Sequence, residues 1–181
     1  MNTNDTAYND FQYSVQDIMN CGGGTCVGGL TDKVLNYLIR YGATTENCIS
    51  YKSGRRGQDG LPCSTSCDSG EDKKSYYVKD MYTVAGDTIR KYLMLEGPMV
   101  AELAIYEDFL AYGGGVYVHT VGQQLFSHAV IVVGFGHDSA SGLDYWLCLN
   151  SWGPDFGEKG YFKIATGKYL NNVHGARPRY L

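Results

Sequence analysis

No stretch of this 181-residue chain is apolar for long enough to span a bilayer, so no membrane partner is expected. The opening Met1-Asn2-Thr3-Asn4-Asp5-Thr6 is polar and lacks the apolar centre of a secretory leader. Basic clusters are almost missing: apart from Arg55-Arg56 and Lys73-Lys74 the Lys and Arg residues are scattered, and the formal charge is −4. Nucleic acid is therefore excluded as a partner, because a polynucleotide surface needs clustered cations. Gly113-Gly114-Gly115 is not followed by Lys-Ser/Thr and is no phosphate loop. There is no internal repeat and no low-complexity segment.

What is present suits one globular domain, since a chain of this length buries most of the surface its unfolded form exposes. Glycine, at 24 residues against an ordinary usage of ~7%, points to turns and irregular loops rather than long helices. Sixteen tyrosines suit half-buried strands. Six cysteines, five of them within the first 67 residues, indicate disulfides and an oxidising compartment. With no leader in view, the chain is expected either not to be secreted or to be part of a longer protein. Asn4-Asp5-Thr6 matches a glycosylation acceptor, but a polar chain start explains it as well.

In chain order, Ser14 is expected to cap a short helix ending near Cys21, with Asp17 returning the bond and Val15, Ile18 and Met19 forming an apolar face. Cys21 to Gly29 is too rich in glycine to remain regular and reads as a tight loop with an approachable backbone. Thr31 should cap a second helix carrying Val34, Leu35, Leu38 and Ile39, stopped by Gly42. From Thr44 to about Ser75 no period appears, and so long a segment needs pins, for which Cys48, Cys63 and Cys67 are placed. A strand is expected over Tyr76 to Val84, then a helix capped by Asp87 with Ile89, Leu93 and Met94 inward. A strand over Met99 to Ile105, a helical turn over Tyr106 to Tyr112, a short strand at Val116-Tyr117-Val118 and another over Tyr161 to Ala165 follow. Helices in the first half and strands in the second make an α+β chain.

The centre is the pair of apolar runs Phe126 to Gly136 and Asp144 to Gly153, read as a hairpin turning at Asp138 to Gly142. Each carries one conspicuous polar side chain. His128 can exchange a proton near neutral pH, whereas Asn150 can only donate and accept hydrogen bonds, so together they look like a base and its orienter.

Ser127-His128-Ala129 followed by Asn150-Ser151-Trp152-Gly153 resembles the papain family of cysteine peptidases, in which Trp152 would cover the His–Asn hydrogen bond. Ser14 to Cys21, Cys26-Val27-Gly28-Gly29, Gly97-Pro98, Tyr106-Glu107-Asp108-Phe109, Gly115-Val116-Tyr117 and Gly160 to Ile164 continue the resemblance, which is strongest to its cathepsin B branch. It implies a papain-like two-lobe fold, N-terminally incomplete. Residues 14–75 would be the remnant of the helical lobe with its disulfide-stapled loop. Residues 76–181 would be the mainly β lobe, the whole of 1–181 forming one peptidase domain. The implied chemistry is a Cys-His-Asn triad with His128 as base and acid, Asn150 as orienter and Trp152 in support. Gly28 and Gly29 would pair with the substrate backbone, although the family's Asn before the glycines is Val27 here, and Ser127 would also contact the substrate. The family nucleophile and the oxyanion glutamine lie upstream of the stretch matched by Ser14, and no cysteine occurs from Met1 to Tyr13.

The expectation is therefore a chain inactive by itself, with an exposed apolar patch at Val15, Leu35 and Leu38. Between Cys48 and Cys63 there is no histidine to block the cleft, which implies endopeptidase action. Expected bridges are Cys21–Cys63 and Cys48–Cys67, leaving Cys26 and Cys148 reduced, because the usual partner of Cys26 lies in the upstream segment. With Met99, Ala101, Leu103 and Ile105 inward, Glu102 is expected at the pocket for the residue before the scissile one, favouring a basic side chain. Partners would be peptide or protein substrates and protein inhibitors. The compartment would be lysosomal, vacuolar or extracellular, and no cofactor or metal is required. Two alternatives stand beside this reading: a non-catalytic homologue that holds peptides or inhibitors, and a zinc-stapled domain using Cys21-x₄-Cys26 and Cys63-x₃-Cys67.

Overall fold

The structure, a computed structural model, describes residues 11–54, 61–167 and 169–179. Asn4-Asp5-Thr6 and Arg55-Arg56 lie outside the described residues. Two compact units emerge, one running to Asp80 and taking in the chain end from Pro178, the other Met81–Arg177. Among the described residues, no helix is long and apolar enough to cross a membrane.

In the first unit, α1 (Val15–Gly22) starts where the Ser14 hydroxyl accepts the Asp17 N–H at 2.9 Å and stops at Gly23 with φ 75°. Its buried face is polar. Val15 is 47% exposed, whereas Gln16 and Asp17 are enclosed. The Gln16 carbonyl oxygen accepts the Lys52 and Ser53 N–H groups at 2.8 and 2.9 Å, and its amide nitrogen donates to Asn20 and to the Ser53 hydroxyl. The Asp17 carboxylate takes the Thr44 N–H and the Lys73 ammonium, each at 2.9 Å. Buried polar atoms are tolerated when every one is paired, and here the pairing sews α1 to the irregular chain after Thr44. Disulfides Cys21–Cys63 and Cys48–Cys67 hold the rest of that stretch.

The second helix, α2 (Thr31–Arg40), packs Leu38 with Ala43 and Val78 in a small core edged by Tyr13, Ile18, Val34 and Ile39. Gly42 follows at φ 68°, where a Cβ would stand 2.6 Å from the Tyr76 carbonyl oxygen; only glycine lets the Ala43–Tyr76 bridge close.

Several local expectations are corrected. Asp17 does not return the capping bond, because its carboxylate is committed to Thr44 and Lys73. Thr31 is the first helical residue; Leu30 occupies the cap with no side-chain bond, and Asp87 likewise makes none. Met94 is 71% exposed, so α3 (Thr88–Glu96) buries chiefly Ile89. Leu35 and Leu38 are buried, which removes the expected patch with Val15. The zinc alternative falls because Cys21, Cys63 and Cys67 are oxidised in disulfides and cannot offer thiolates.

A seven-stranded sheet dominates the second unit: β1 (Val78–Val84), β2 (Met99–Tyr106), β3 (Val116–Tyr117), β4 (Gln124–Asp138), β5 (Leu143–Leu149), β6 (Tyr161–Ala165) and β7 (Leu170–Pro178) in the order β1-β7-β2-β4-β5-β6-β3. Strict alternation buries Met99, Ala101, Leu103 and Ile105 of β2 against Val130, Val132, Cys148, Phe162 and Ile164. Phe109, in a 3-10 helix over Glu107–Ala111, sits within this core fully enclosed. β7 was not among the expected strands, yet it pairs with β2.

Candidate active site

His128 lies on β4 opposite Leu103 of β2, at the end of the face that carries Val130 and Val132. Across the hairpin Ile131 pairs with Leu149, so continuing that register by three residues brings Trp152 opposite His128. β5 has ended by then. Asn150 instead donates its N–H to the Gly160 carbonyl at 2.9 Å, and this turns the chain so that its amide meets the imidazole.

The contact is a hydrogen bond of 2.9 Å between His128 Nε2 and Asn150 Oδ1. A second bond fixes which amide atom is which. The Ser151 N–H, which can only donate, lies 2.8 Å from the same Oδ1, so that atom must be the oxygen. His128 therefore donates from Nε2–H, and Nδ1 carries the lone pair in the neutral ring. Asn150 Nδ2 is buried and without a partner among the described residues.

Trp152 lies beside His128, its ring centroid 5.1 Å from that of the imidazole and the planes tilted by 33°. Its own position is set by Phe156 at 4.8 Å and by Phe109 at 5.9 Å, both edge-on. Phe126 stands 6.5 Å from both His128 and Trp152. Trp152 thus lies between the His128 ring and the aromatic rings of Phe156 and Phe109.

Not every expected residue joins this cluster. Ser127 pairs with Ala104 and Glu102 with Ala129, so Ser127, Ala129 and Glu102 share the sheet face opposite that of His128. The Glu102 carboxylate accepts the Asn172 side-chain amide at 2.8 Å. Gly28 and Gly29 belong to the first unit, where Gly28 has φ 135° and its carbonyl accepts the Thr25 hydroxyl at 3.0 Å. Cys148 is fully buried and burial pushes its thiol far up, so it is no nucleophile. Cys26 is an exposed thiol. Among the described residues no group of His, Cys, Asp and Glu is arranged to hold a metal ion.

The sequence profile of the papain family cysteine proteases matches residues 2–177. The chain belongs to that family. Within it, the chain is 40% identical over 158 residues to cathepsin B-like CP3 of Giardia intestinalis, a match covering 84% of this chain and 52% of the relative. To cathepsin B-like cysteine proteinase 3 of Caenorhabditis elegans it is 35% identical over 187 residues, covering 90% and 50%. Among solved structures, procathepsin B S9 of Trypanosoma congolense superposes with a TM-score of 0.85 at 29% identity, covering 94% of this chain and 61% of that one. This papain-family chain thus spans about half the length of the curated relatives it matches.

The aromatic support was not read from the sequence, although Phe156 stands four residues after Trp152 and so carried a weak signal. Asn172 carried none. It adopts φ 45° at the point where the β2–β7 register shifts, and backbone conformation of that kind is invisible in an isolated asparagine.

Proposed function

We propose that this chain carries the proton-transfer half of a cysteine endopeptidase site, with His128 as acid and base and Asn150 as its orienter. The observation that carries the reading is the 2.9 Å bond from His128 Nε2–H to Asn150 Oδ1, which leaves Nδ1 as the nitrogen that exchanges protons. In the first step Nδ1 takes the proton of an attacking thiol and becomes part of an imidazolium. In the second it returns that proton to the leaving amine as the C–N bond breaks and the acyl group stays on sulfur. Asn150 keeps the ring in plane through both steps, and Trp152 excludes water from the bond.

On this reading the attacking thiol is none of the six in this chain: four are in disulfides, Cys148 is buried, and Cys26 falls where the family resemblance implies a bridge to the upstream segment. We therefore expect that the 181 residues alone do not hydrolyse peptides, and that a nucleophile and an oxyanion-stabilising glutamine joined N-terminally make the site competent. The face bearing Glu102, Ser127 and Ala129 would line the pocket for the residue before the scissile one, with Glu102 favouring Lys or Arg there. Gly28 and Gly29 would pair with the substrate backbone. The absence of histidine between Cys48 and Cys63 supports an open cleft and endopeptidase action on peptides and proteins. Protein inhibitors would bind the same surface, and the working compartment would be lysosome-like, vacuolar or extracellular.

The test assays the chain as it stands, and the chain extended N-terminally by a papain-family segment of the Cys-Gly-Ser-Cys-Trp type, on an unstructured protein substrate, each with and without a thiol-alkylating reagent. Cleavage by the extended chain only, abolished by alkylation and by His128→Ala, supports the assignment. Alkylation-sensitive cleavage by the 181 residues alone would overturn the placement of the nucleophile. Tight binding of the substrate with no cleavage by either form favours a non-catalytic homologue instead.

A further inference from the structure

The turn between β5 and β6 settles where Asn150 stands. Its last residue, Gly160, accepts the Asn150 N–H at 2.9 Å and donates its own N–H to the Phe156 carbonyl at 2.8 Å. Gly160 thus links the backbone of the amide that meets His128 to the residue packed on Trp152. The turn does not hold this shape through its own conformational preference. Lys159 adopts φ 58°, a left-handed conformation that a residue with a Cβ keeps only where its surroundings over-determine it.

The neighbouring Glu158 supplies that determination twice over. Its N–H donates to the Tyr161 carbonyl at 2.8 Å, and the Tyr161 N–H returns to the Glu158 carbonyl at 3.2 Å. Its side chain reaches away from the turn. Oε1 accepts the Gly115 N–H at 3.0 Å, immediately before β3, and Oε2 lies 3.0 Å from the Lys163 ammonium on β6. Tyr112 closes the remaining side: its hydroxyl donates to the Gly115 carbonyl at 2.7 Å, accepts the Lys163 N–H at 3.1 Å and lies 3.4 Å from Glu158 Oε1. Burial by itself raises the Glu158 carboxyl, but the Lys163 ammonium and the Gly115 N–H outweigh it and hold the group below the usual carboxylate range. Of the two side-chain contacts the Gly115 bond counts for more. The Lys163 and Glu158 side chains are 27% and 34% exposed, so solvent screens their charge pair, whereas a backbone N–H donating to a carboxylate makes a strong, directed bond.

We propose that Glu158 is a positioning residue for the His128–Asn150 pair: its side chain pins the turn to Gly115, the pinned turn aims the Gly160 carbonyl at the Asn150 N–H, and Asn150 Oδ1 is thereby presented to His128 Nε2–H. The inference deepens the reading of His128 and Asn150 as base and orienter, but it concerns the bond between them and not the reaction. It can therefore fail while that reading stands, and a lack of peptide cleavage leaves it untouched.

The test reads the bond by NMR of the full 181-residue chain at one neutral pH. A histidine ring N–H is observed only while a hydrogen bond shields it from exchange with water, so the unaltered chain should show the His128 Nε2–H signal and a protected Asn150 amide. In Glu158→Ala the ring signal should disappear and the Asn150 and Gly115 amides should exchange about tenfold faster, while the fully buried Val132 of β4 keeps its protection. Glu158→Gln, which retains an acceptor for Gly115 without the charge, should restore the ring signal and most of the protection. Glu158→Asp, which keeps the charge but withdraws the acceptor by one methylene, should act in the same direction as Glu158→Ala and takes its place should the alanine variant not fold. An unchanged His128 signal or Asn150 exchange in Glu158→Ala or Glu158→Asp, no restoration in Glu158→Gln, or an equal loss of protection at Val132 would each overturn the proposal.

Discussion

Asn150 keeps one face of its amide satisfied and the other bare. Oδ1 accepts from two donors while the buried Nδ2 meets no partner among the described residues, an arrangement that gives up a hydrogen bond to hold His128 in one tautomer. Asn150→Asp tests what the neutrality of that side chain is for. A carboxylate 2.9 Å from Nε2 stabilises the imidazolium, so the His128 titration followed by NMR should move upward by about one pH unit. The histidine would then remain protonated at higher pH and be a poorer base there. An unchanged titration would mean that the Oδ1 contact is not made in solution. At this scale the sequence was most informative: His128, Asn150 and Trp152 stood out by residue type and order, and the structure brings His128 into contact with both of the others.

Among the elements, α1 departs furthest from its amphipathic appearance. Its apolar residues suggested a buried oily face, but Gln16 and Asp17 are enclosed instead, Gln16 because two backbone N–H groups of an irregular segment require an acceptor there. Gln16→Ala should cost about 1–3 kcal/mol by leaving Lys52 and Ser53 N–H groups unpaired, read as a lower urea midpoint with an unchanged slope. The strands of the second unit were legible from their period, as the alternation of β2 shows. β7 was not, because it buries the consecutive residues Val173, His174 and Gly175 around a register shift and so has no period of two.

The whole molecule divides its means of stabilisation between its units. Both disulfides lie in the first, whose core cluster is small, while the second rests on one extended apolar core and no crosslink. Reduction should therefore cost the first unit about 2–4 kcal/mol per bridge and leave the second nearly untouched. Hydrogen exchange with and without reductant measures this directly: amides of α1 and α2 should lose protection while those of β2, β4 and β5 keep it. Uniform loss across both units would show that they unfold together.

The order of residue types determined a good deal unaided: an α+β chain, the hairpin, the alternation of β2, the membership suggested by Ser-His-Ala and Asn-Ser-Trp, and the need for pins after Thr44. Those features are local or pairwise, and period, spacing and side-chain chemistry suffice to express them. Only the tertiary structure decided that α1 turns a polar face inward, that Phe109 and Phe156 support Trp152, that Asn172 reaches Glu102, and that Asp108 gathers five donors from one returning segment. These contacts join groups that no period or spacing links, and which buried donor finds which acceptor is settled when packing excludes water, not by any pattern along the sequence.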